Sequence, residues 1–562
     1  MNAPDYLIVF CSLGLYFYTA LLLSLVLTPL SSKIARIIGI LDLPDARKVH
    51  INTVPRMGGL AMAFSVLLSL VLLIKSTPFF WAFGTGAVVI VNVGLMDDKI
   101  SISPFMKFAG EITAVLIFIL ICGIKLTHFG NLFGPGDIRT GPLAMAITIF
   151  AMVGFINSLN LSDGLDGLAA GISVIACIFF MPLAFISRQW EVLGVSVILL
   201  GVILGFLRYN TYPAKLFMGD SGSLLLGFSL ACIAVAMVQE NPAGQQIQPI
   251  TLFWFLSLPV ADTLYVMVKR LLDGKSPVRP DKTHLHHRLL ALGFTHSMTV
   301  TIIYGALFGL GMIGWWLKDR QEWVQFYLLF AVYLVFYTGL FLLEKKAVSF
   351  ARKTPATRTR VSKRSFRFKL IRWIGKNDQY PPYILALSLV LPVFFLPPVT
   401  KPFGLFSAAV AIFVLTLYPW NGGKNDTGMA HSLIFLSLFS LLLLYIFNPN
   451  HPLWIHYYLT CLSILSLFWV ICRVAYNRRY KVILPTSFEL LLIVISWCIP
   501  LLWGRMLELD PNIQQNLVIA CVLSIPILAG AKMMLRRQVR RNTKLIACLQ
   551  VAIVLLGVRA FW

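Results

Sequence analysis

Asn157-Ser-Leu-Asn160-Leu-Ser-Asp163-Gly164-Leu165-Asp166-Gly167-Leu-Ala-Ala-Gly171 is a polar interruption between two long apolar runs. Charged side chains next to lipid are expensive and face a cavity or an aqueous edge when they occur. Gly164 and Gly167 let the backbone turn tightly and approach a ligand. A single Asx residue would suffice to cap the helix that follows. Two Asp, two Asn and two Ser exceed what a cap needs, so the segment reads as functional.

The runs on either side of it repeat along the chain. Of its 562 residues, 58% are hydrophobic and 12% charged, and the mean hydropathy of +0.82 excludes an ordinary soluble domain. Apolar runs long enough to cross a bilayer number about eleven up to Leu343 and about seven after Tyr380. The first eleven are expected near 6–27, 58–75, 79–96, 106–123, 141–160, 165–186, 192–207, 218–238, 249–272, 298–317 and 322–343. The first run has no basic residues before it and is too long for a cleavable leader, so it reads as an anchor. The fold class is therefore an all-α, multi-pass integral membrane protein. The nine cysteines are scattered singly and imply neither a disulfide framework nor a metal cluster.

The formal charge is +24. On a membrane chain this points to loops attracted to anionic membrane lipids, not to nucleic acid. Short basic loops mark the cytoplasmic side. Lys33, Arg36, Arg47, Lys48 and Arg56 follow the first run, Lys269, Arg270, Lys275, Arg279, Lys282 and Arg288 the ninth, and a dense basic segment the eleventh. All three fall on one side, which is expected to be cytoplasmic.

The polar clusters fall on that side too. Asp97-Asp98-Lys99 follows the third run. Adjacent carboxylates with little solvent suit a divalent cation or a proton acceptor. Phe217-Met-Gly-Asp220-Ser-Gly-Ser opens the eighth. An N-cap and a Mg2+ ligand fit Asp220 equally, and the same helix start suits phosphate. His284-Leu-His286-His287-Arg288 is too compressed for a usual zinc site and fits phosphate binding better, because Arg forks onto phosphate oxygens. In the first loop, basic residues precede Gly58-Gly59; they suit an anionic ligand entering beside the second run, although a loop that only sets topology accounts for them more simply. Acids, bases and helix starts on one membrane face are equipment for phosphoryl transfer. A transporter would instead carry its acids near the bilayer midplane.

These segments together resemble the polyprenyl-phosphate N-acetylhexosamine-1-phosphate transferases. The matching motifs are Asp97-Asp98-Lys99, Asn160-Leu-Ser-Asp163-Gly-Leu-Asp166-Gly-Leu, Asn210 with Phe217-Met-Gly-Asp220-Ser-Gly-Ser, and His284-Leu-His-His287-Arg288. The resemblance covers residues 1–345. It implies transfer of a sugar 1-phosphate from a UDP-N-acetylhexosamine to undecaprenyl phosphate, with release of UMP and a need for Mg2+ or Mn2+. It implies Asp220 as the metal ligand and Asp97 or Asp98 as the group that deprotonates or positions the lipid phosphate. Lys48, Asn160, Gly164, Leu165, Asp166, Asn210 and Phe217 would lie against the nucleotide sugar, with Asn160 and Asp163 supporting the catalytic centre. His284, His286, His287 and Arg288 would hold the diphosphate. The leucine between the histidines, with the Arg after them, is similar to enzymes that use GlcNAc or a related amino sugar in the first membrane step of cell-envelope polysaccharide synthesis. The phospho-MurNAc-pentapeptide translocase branch typically carries three consecutive histidines. The resemblance places the chain in a bacterial inner membrane with its site facing the cytoplasm. Homodimers or glycan-assembly partners are compatible with it.

The chain departs from the pattern in length. A basic linker, 346–380, leads to about seven further apolar runs between residues 381 and 562, a membrane extension with no comparable polar cluster.

Overall fold

The structure, a computed structural model, describes residues 3–42, 53–238, 247–274, 276, 283–350, 454 and 457–466. The chain divides into two compact units, and every element named next lies in the unit containing residues up to Pro355. It is a helical bundle: α1 (Ala3–Ile38), α2 (Gly58–Leu73), α3 (Pro78–Ile100), α4 (Pro104–Cys122), α5 (Ala144–Leu161), α6 (Leu168–Ile186), α7 (Trp190–Asn210), α8 (Gly219–Val238), α9 (Pro249–Leu272), α10 (Leu285–Ala291), α11 (His296–Leu317) and α12 (Glu322–Phe350). A two-residue hairpin ladder, β1 (Leu41–Asp42) with β2 (Val54–Pro55), closes the first loop.

Local chemistry sets several helix starts. Thr77 accepts from Phe80 N and Ser103 from Met106 N, each followed by proline at the first helical position. Both are N-cap arrangements that satisfy donors a helix start leaves open. Gly123, at φ +71°, ends α4 in a left-handed turn, the usual glycine stop.

Ten of the described helices are long and apolar enough to cross a membrane. All eleven expected spans have a helix, although α2, with 16 residues, is short for a full crossing. Three helices run past their expected ends by four residues or more. α1 runs on to Ile38 and takes up Lys33 and Arg36; α3 runs through Asp97 and Asp98 to Ile100; α12 runs to Phe350. Apolar content marks the lipid-embedded part of a helix, whereas backbone hydrogen bonding carries the helix past it into polar sequence. The short α10 has no counterpart among the expected spans; it forms within the histidine motif. The expected linker beyond Phe350 and the seven C-terminal runs lie outside the described residues, apart from the apolar helix Tyr457–Ser466.

Helices α6, α7 and α8 are buried along nearly their whole length, whereas α1, α4 and α12 are mostly peripheral. Helix α8 packs against α2, α3, α5 and α6. Apolar burial gives helices in lipid little reason to associate, so close approach through small residues matters more. A Cβ on Gly59 would lie 2.1 Å from Gly222 N, and one on Gly94 2.3 Å from Ser221 Cα. Helices α2 and α3 therefore touch the start of α8 backbone to backbone. The contact is stitched by Gly58 N to Phe217 O (2.9 Å), Gly59 N to Met218 O (2.8 Å) and Phe217 N to Pro55 O (2.9 Å).

Candidate active site

The start of α8 organises one end of this bundle. Its first-turn N–H groups have no helical partner, and a carboxylate from α3 takes them. Asp98 accepts from Asp220 N (2.9 Å), Ser221 N (3.1 Å) and Ser221 Oγ (3.0 Å). Its side chain is fully buried, with Arg56 Nε 3.9 Å away. A negative charge at this end also suits the helix dipole. Asp98, which the sequence reading sets against the lipid phosphate, is thus committed to the backbone of α8.

Its neighbour points elsewhere. Asp97 accepts from Ile102 N (3.1 Å) and from Lys107 Nζ (2.9 Å). The same ammonium, on α4, lies 3.3 Å from Asp220 Oδ2. Asn160, with its amide turned to satisfy its neighbours, donates to Asp220 Oδ1 (2.9 Å) and Ser223 Oγ (2.7 Å) and accepts from Lys107 Nζ (3.1 Å). Two acids, a base and an amide from α3, α4, α5 and α8 thus form one network.

Asp220 lines a cleft of about 370 Å³ together with Asn160, Asp163 and Asp166. Asp163 is half-buried. Burial, and after it the charge of Asp220, pushes its carboxyl up to about 7, because a desolvated carboxylate beside another negative charge holds its proton. Gly164, Leu165, Asn210 and Phe217 line the same cleft. Asp166 accepts from Ala214 N (2.9 Å). The next residue is fixed on both sides: Gly167 N donates to Asn210 Oδ1 (2.9 Å) and Tyr304 OH to Gly167 O (2.5 Å). The turn after α5 and the loop before α8 are therefore one rigid wall, although their residues lie some forty positions apart in sequence.

The histidine motif divides. His287 reaches the cleft. His286 is buried with its Nε2 unpartnered among the described residues, packed so tightly on Gly164 that a Cβ there would lie 2.1 Å from that nitrogen. Burial, then the positive charges of His287, His284 and His296, pushes the His286 imidazolium down to about 3, so this ring is neutral at ordinary pH. His284 Nδ1 pairs with Asp262 Oδ2 (2.9 Å). Arg288, expected to hold the diphosphate, has a carboxylate partner on α12. Its Nε and one Nη fork onto Glu344 of α12 at 2.7 and 3.0 Å, because α12 offers a carboxylate close to α10. Lys48 lies outside the described residues.

Several site residues were not singled out in the sequence. Lys107 is the clearest, with Glu111 one turn further along α4, fully buried and bonded by Asn157. A lysine and a glutamate four apart inside an apolar run are the signal that would have found them. His296 accepts from Asp166 N (3.1 Å) and stacks on Tyr212 with ring centroids 4.3 Å apart; both line the cleft.

A family model described as "Glycosyl transferase family 4" matches residues 80–238, from α3 to the end of α8. A Bacillus subtilis protein described as a probable undecaprenyl-phosphate N-acetylglucosaminyl 1-phosphate transferase is 36% identical over 318 residues, covering 56% of this chain and 87% of its own length. A Mycolicibacterium smegmatis decaprenyl-phosphate N-acetylglucosaminephosphotransferase is 37% identical over 295 residues, 47% of this chain and 72% of its own. An Escherichia coli O157:H7 undecaprenyl-phosphate alpha-N-acetylglucosaminyl 1-phosphate transferase is 27% identical over 311 residues, 54% of this chain and 84% of its own. With its four motifs gathered at one end of a multi-pass helical bundle, the chain belongs to the polyprenyl-phosphate N-acetylhexosamine-1-phosphate transferase family.

Proposed function

We propose that the protein transfers N-acetylglucosamine 1-phosphate from UDP-N-acetylglucosamine to undecaprenyl phosphate and releases UMP, as the first membrane step of a bacterial cell-envelope polysaccharide. The bond broken joins the sugar-bearing phosphorus to UMP; the bond made joins that phosphorus to the lipid phosphate. The observation that carries the reading is the joining of Asp97, Asp220, Lys107 and Asn160 in one network beside the cleft that Asp163 and Asp166 line. Phosphoryl transfer needs little covalent help from protein and much positioning of charge.

The donor set fits Mg2+ or Mn2+. Asp220 and Asp163 bring carboxylate oxygens to the cleft, the hard ligands these ions prefer, and Asn160 holds the Asp220 carboxylate by its amide N–H. Such an ion is commonly held by one or two carboxylates plus substrate phosphate oxygens. Asp220 would be the principal ligand. Bound there, the ion would neutralise charge on the diphosphate. Lys107 adds a fixed positive charge at the same place. Gly164, Leu165, Asp166, Asn210 and Phe217 form the wall for the uridine end, and His287 approaches the diphosphate from α10. Lys33 and Arg36 at the end of α1 support a cytoplasmic position for this face.

The test is a donor screen. Purified full-length protein with undecaprenyl phosphate and Mg2+ is given UDP-N-acetylglucosamine, UDP-N-acetylgalactosamine or UDP-MurNAc-pentapeptide, and the lipid product is weighed by mass spectrometry. The mass of undecaprenyl diphosphate plus N-acetylglucosamine is expected. A product only with the pentapeptide donor would move the protein to the peptidoglycan branch, and no product with any donor would sink the reading.

A further inference from the structure

Helix α10 carries the histidines, yet its seven residues are too few to be stable alone. Two acids from different helices hold it. Asp262 of α9, buried, accepts from Leu285 N (2.9 Å) and pairs with His284 Nδ1 (2.9 Å). One turn on, the buried Arg288 forks onto Glu344 of α12. A tyrosine stands beside each acid. Tyr265 lies one turn after Asp262, Tyr337 two turns before Glu344, and their rings stack 4.4 Å apart at 5°. The Arg288 guanidinium sits 4.7 Å from the first ring and 5.9 Å from the second. Between the two anchored residues stand His286, against Gly164, and His287, at the cleft.

We propose that Asp262 and Glu344 are positioning residues: acting through His284 and Arg288, they clamp α10 so that His286 and His287 meet the substrate side of the cleft. This deepens the transfer reading and rests on it. A bidentate charge-assisted fork under aromatic faces fixes both distance and angle. With its Nε and one Nη on Glu344, the guanidinium ties α10 to α12, and Arg288 serves the reaction through the residue before it.

The test joins kinetics on the full chain with hydrogen exchange of α10 amides, which needs no substrate. Glu344→Gln and Asp262→Asn are expected to raise KM for UDP-N-acetylglucosamine about tenfold, with kcat changed less, since a charge-assisted contact is worth on the order of one decade. Exchange across Leu285–Ala291 is expected to quicken while α6 keeps its protection. Arg288→Lys, which keeps the charge and loses the fork, should give a smaller shift of the same kind and serves if Glu344→Gln does not fold. The swap Arg288→Glu with Glu344→Arg should recover part of both effects. Quicker exchange with an unmoved KM would make the contacts merely structural and overturn the proposal, as would unaltered exchange. A wild-type chain that releases no UMP would sink the transfer reading, while the clamp would still stand or fall on exchange.

Discussion

Asp98 spends both oxygens on the start of α8, whereas Asp163 and Asp220 are among the carboxylates that line the cleft. The two kinds of acid should separate in experiment. Asp98→Ala strands two buried N–H groups and should cost about 1–3 kcal/mol, read as a lower melting temperature together with lost transfer. Asp220→Asn keeps the fold and should lose transfer alone. Asp163 adds a pH signature. With its carboxyl held up to about 7, it is mostly neutral below that pH and ionised above it. If the ionised form supports transfer, kcat/KM should rise as pH climbs through neutrality. Asp163→Asn should be slow and lack that rise; a wild-type profile in the variant would remove Asp163 from the chemistry. At this scale the sequence was legible where a charge stood out against apolar neighbours, as Asp163, Asp166 and Asp220 do. Lys107 did not stand out. It sits near the start of an ordinary-looking span, and its partner Asp220 lies more than a hundred residues away, a pairing only the fold creates.

Among the elements, the crossing of α2 and α3 over the start of α8 is what brings Asp98 to its cap. Gly94→Ala tests it. The added methyl would fall 2.3 Å from Ser221 Cα, backbone with no freedom to yield, so α3 must move. Overpacking of this kind costs about 1–3 kcal/mol and here also withdraws Asp98. We expect a melting temperature lowered by several degrees and transfer reduced at least about tenfold, since a misplacement near 1 Å in a site costs that or more. Unchanged stability and activity would mean that the contact carries nothing. Helix existence was legible from the lengths of the apolar runs. Helix ends were not. α3 passes straight through Asp97-Asp98, because α8 supplies the hydrogen bonds that make a buried carboxylate tolerable, and no local signal records that. The partner of Arg288 was hidden for a related reason: two of its nitrogens fork onto Glu344, a carboxylate of a helix two elements later.

For the whole molecule, the order of polar clusters along the chain already predicted a single site. Clusters after alternate spans must share a face, and the first loop, the α5–α6 turn and the α7–α8 loop do line one cleft, with the end of α3 bonded to the start of α8 beside it. Every residue placed in the site lies before Lys345, and the relatives match over lengths close to that part. Deleting the chain after Phe350 should therefore leave UMP release within about threefold of the full protein, well under one decade of activity. A complete loss with the truncated protein still folded would give the C-terminal part a share in turnover. The orientation is checked by single cysteines: one at Lys33 should react with a membrane-impermeant thiol reagent only after the cytoplasmic side is opened.

The most direct measurement is UMP release by full-length protein in lipid nanodiscs with UDP-N-acetylglucosamine, undecaprenyl phosphate and a titration of Mg2+. The account predicts release that needs both the lipid and the ion, with Asp220→Asn folded as the parent and slower by at least about a thousandfold, as expected when a group that organises transition-state charge is removed. Equal turnover by Asp220→Asn would contradict it, as would UMP release that ignores the ion.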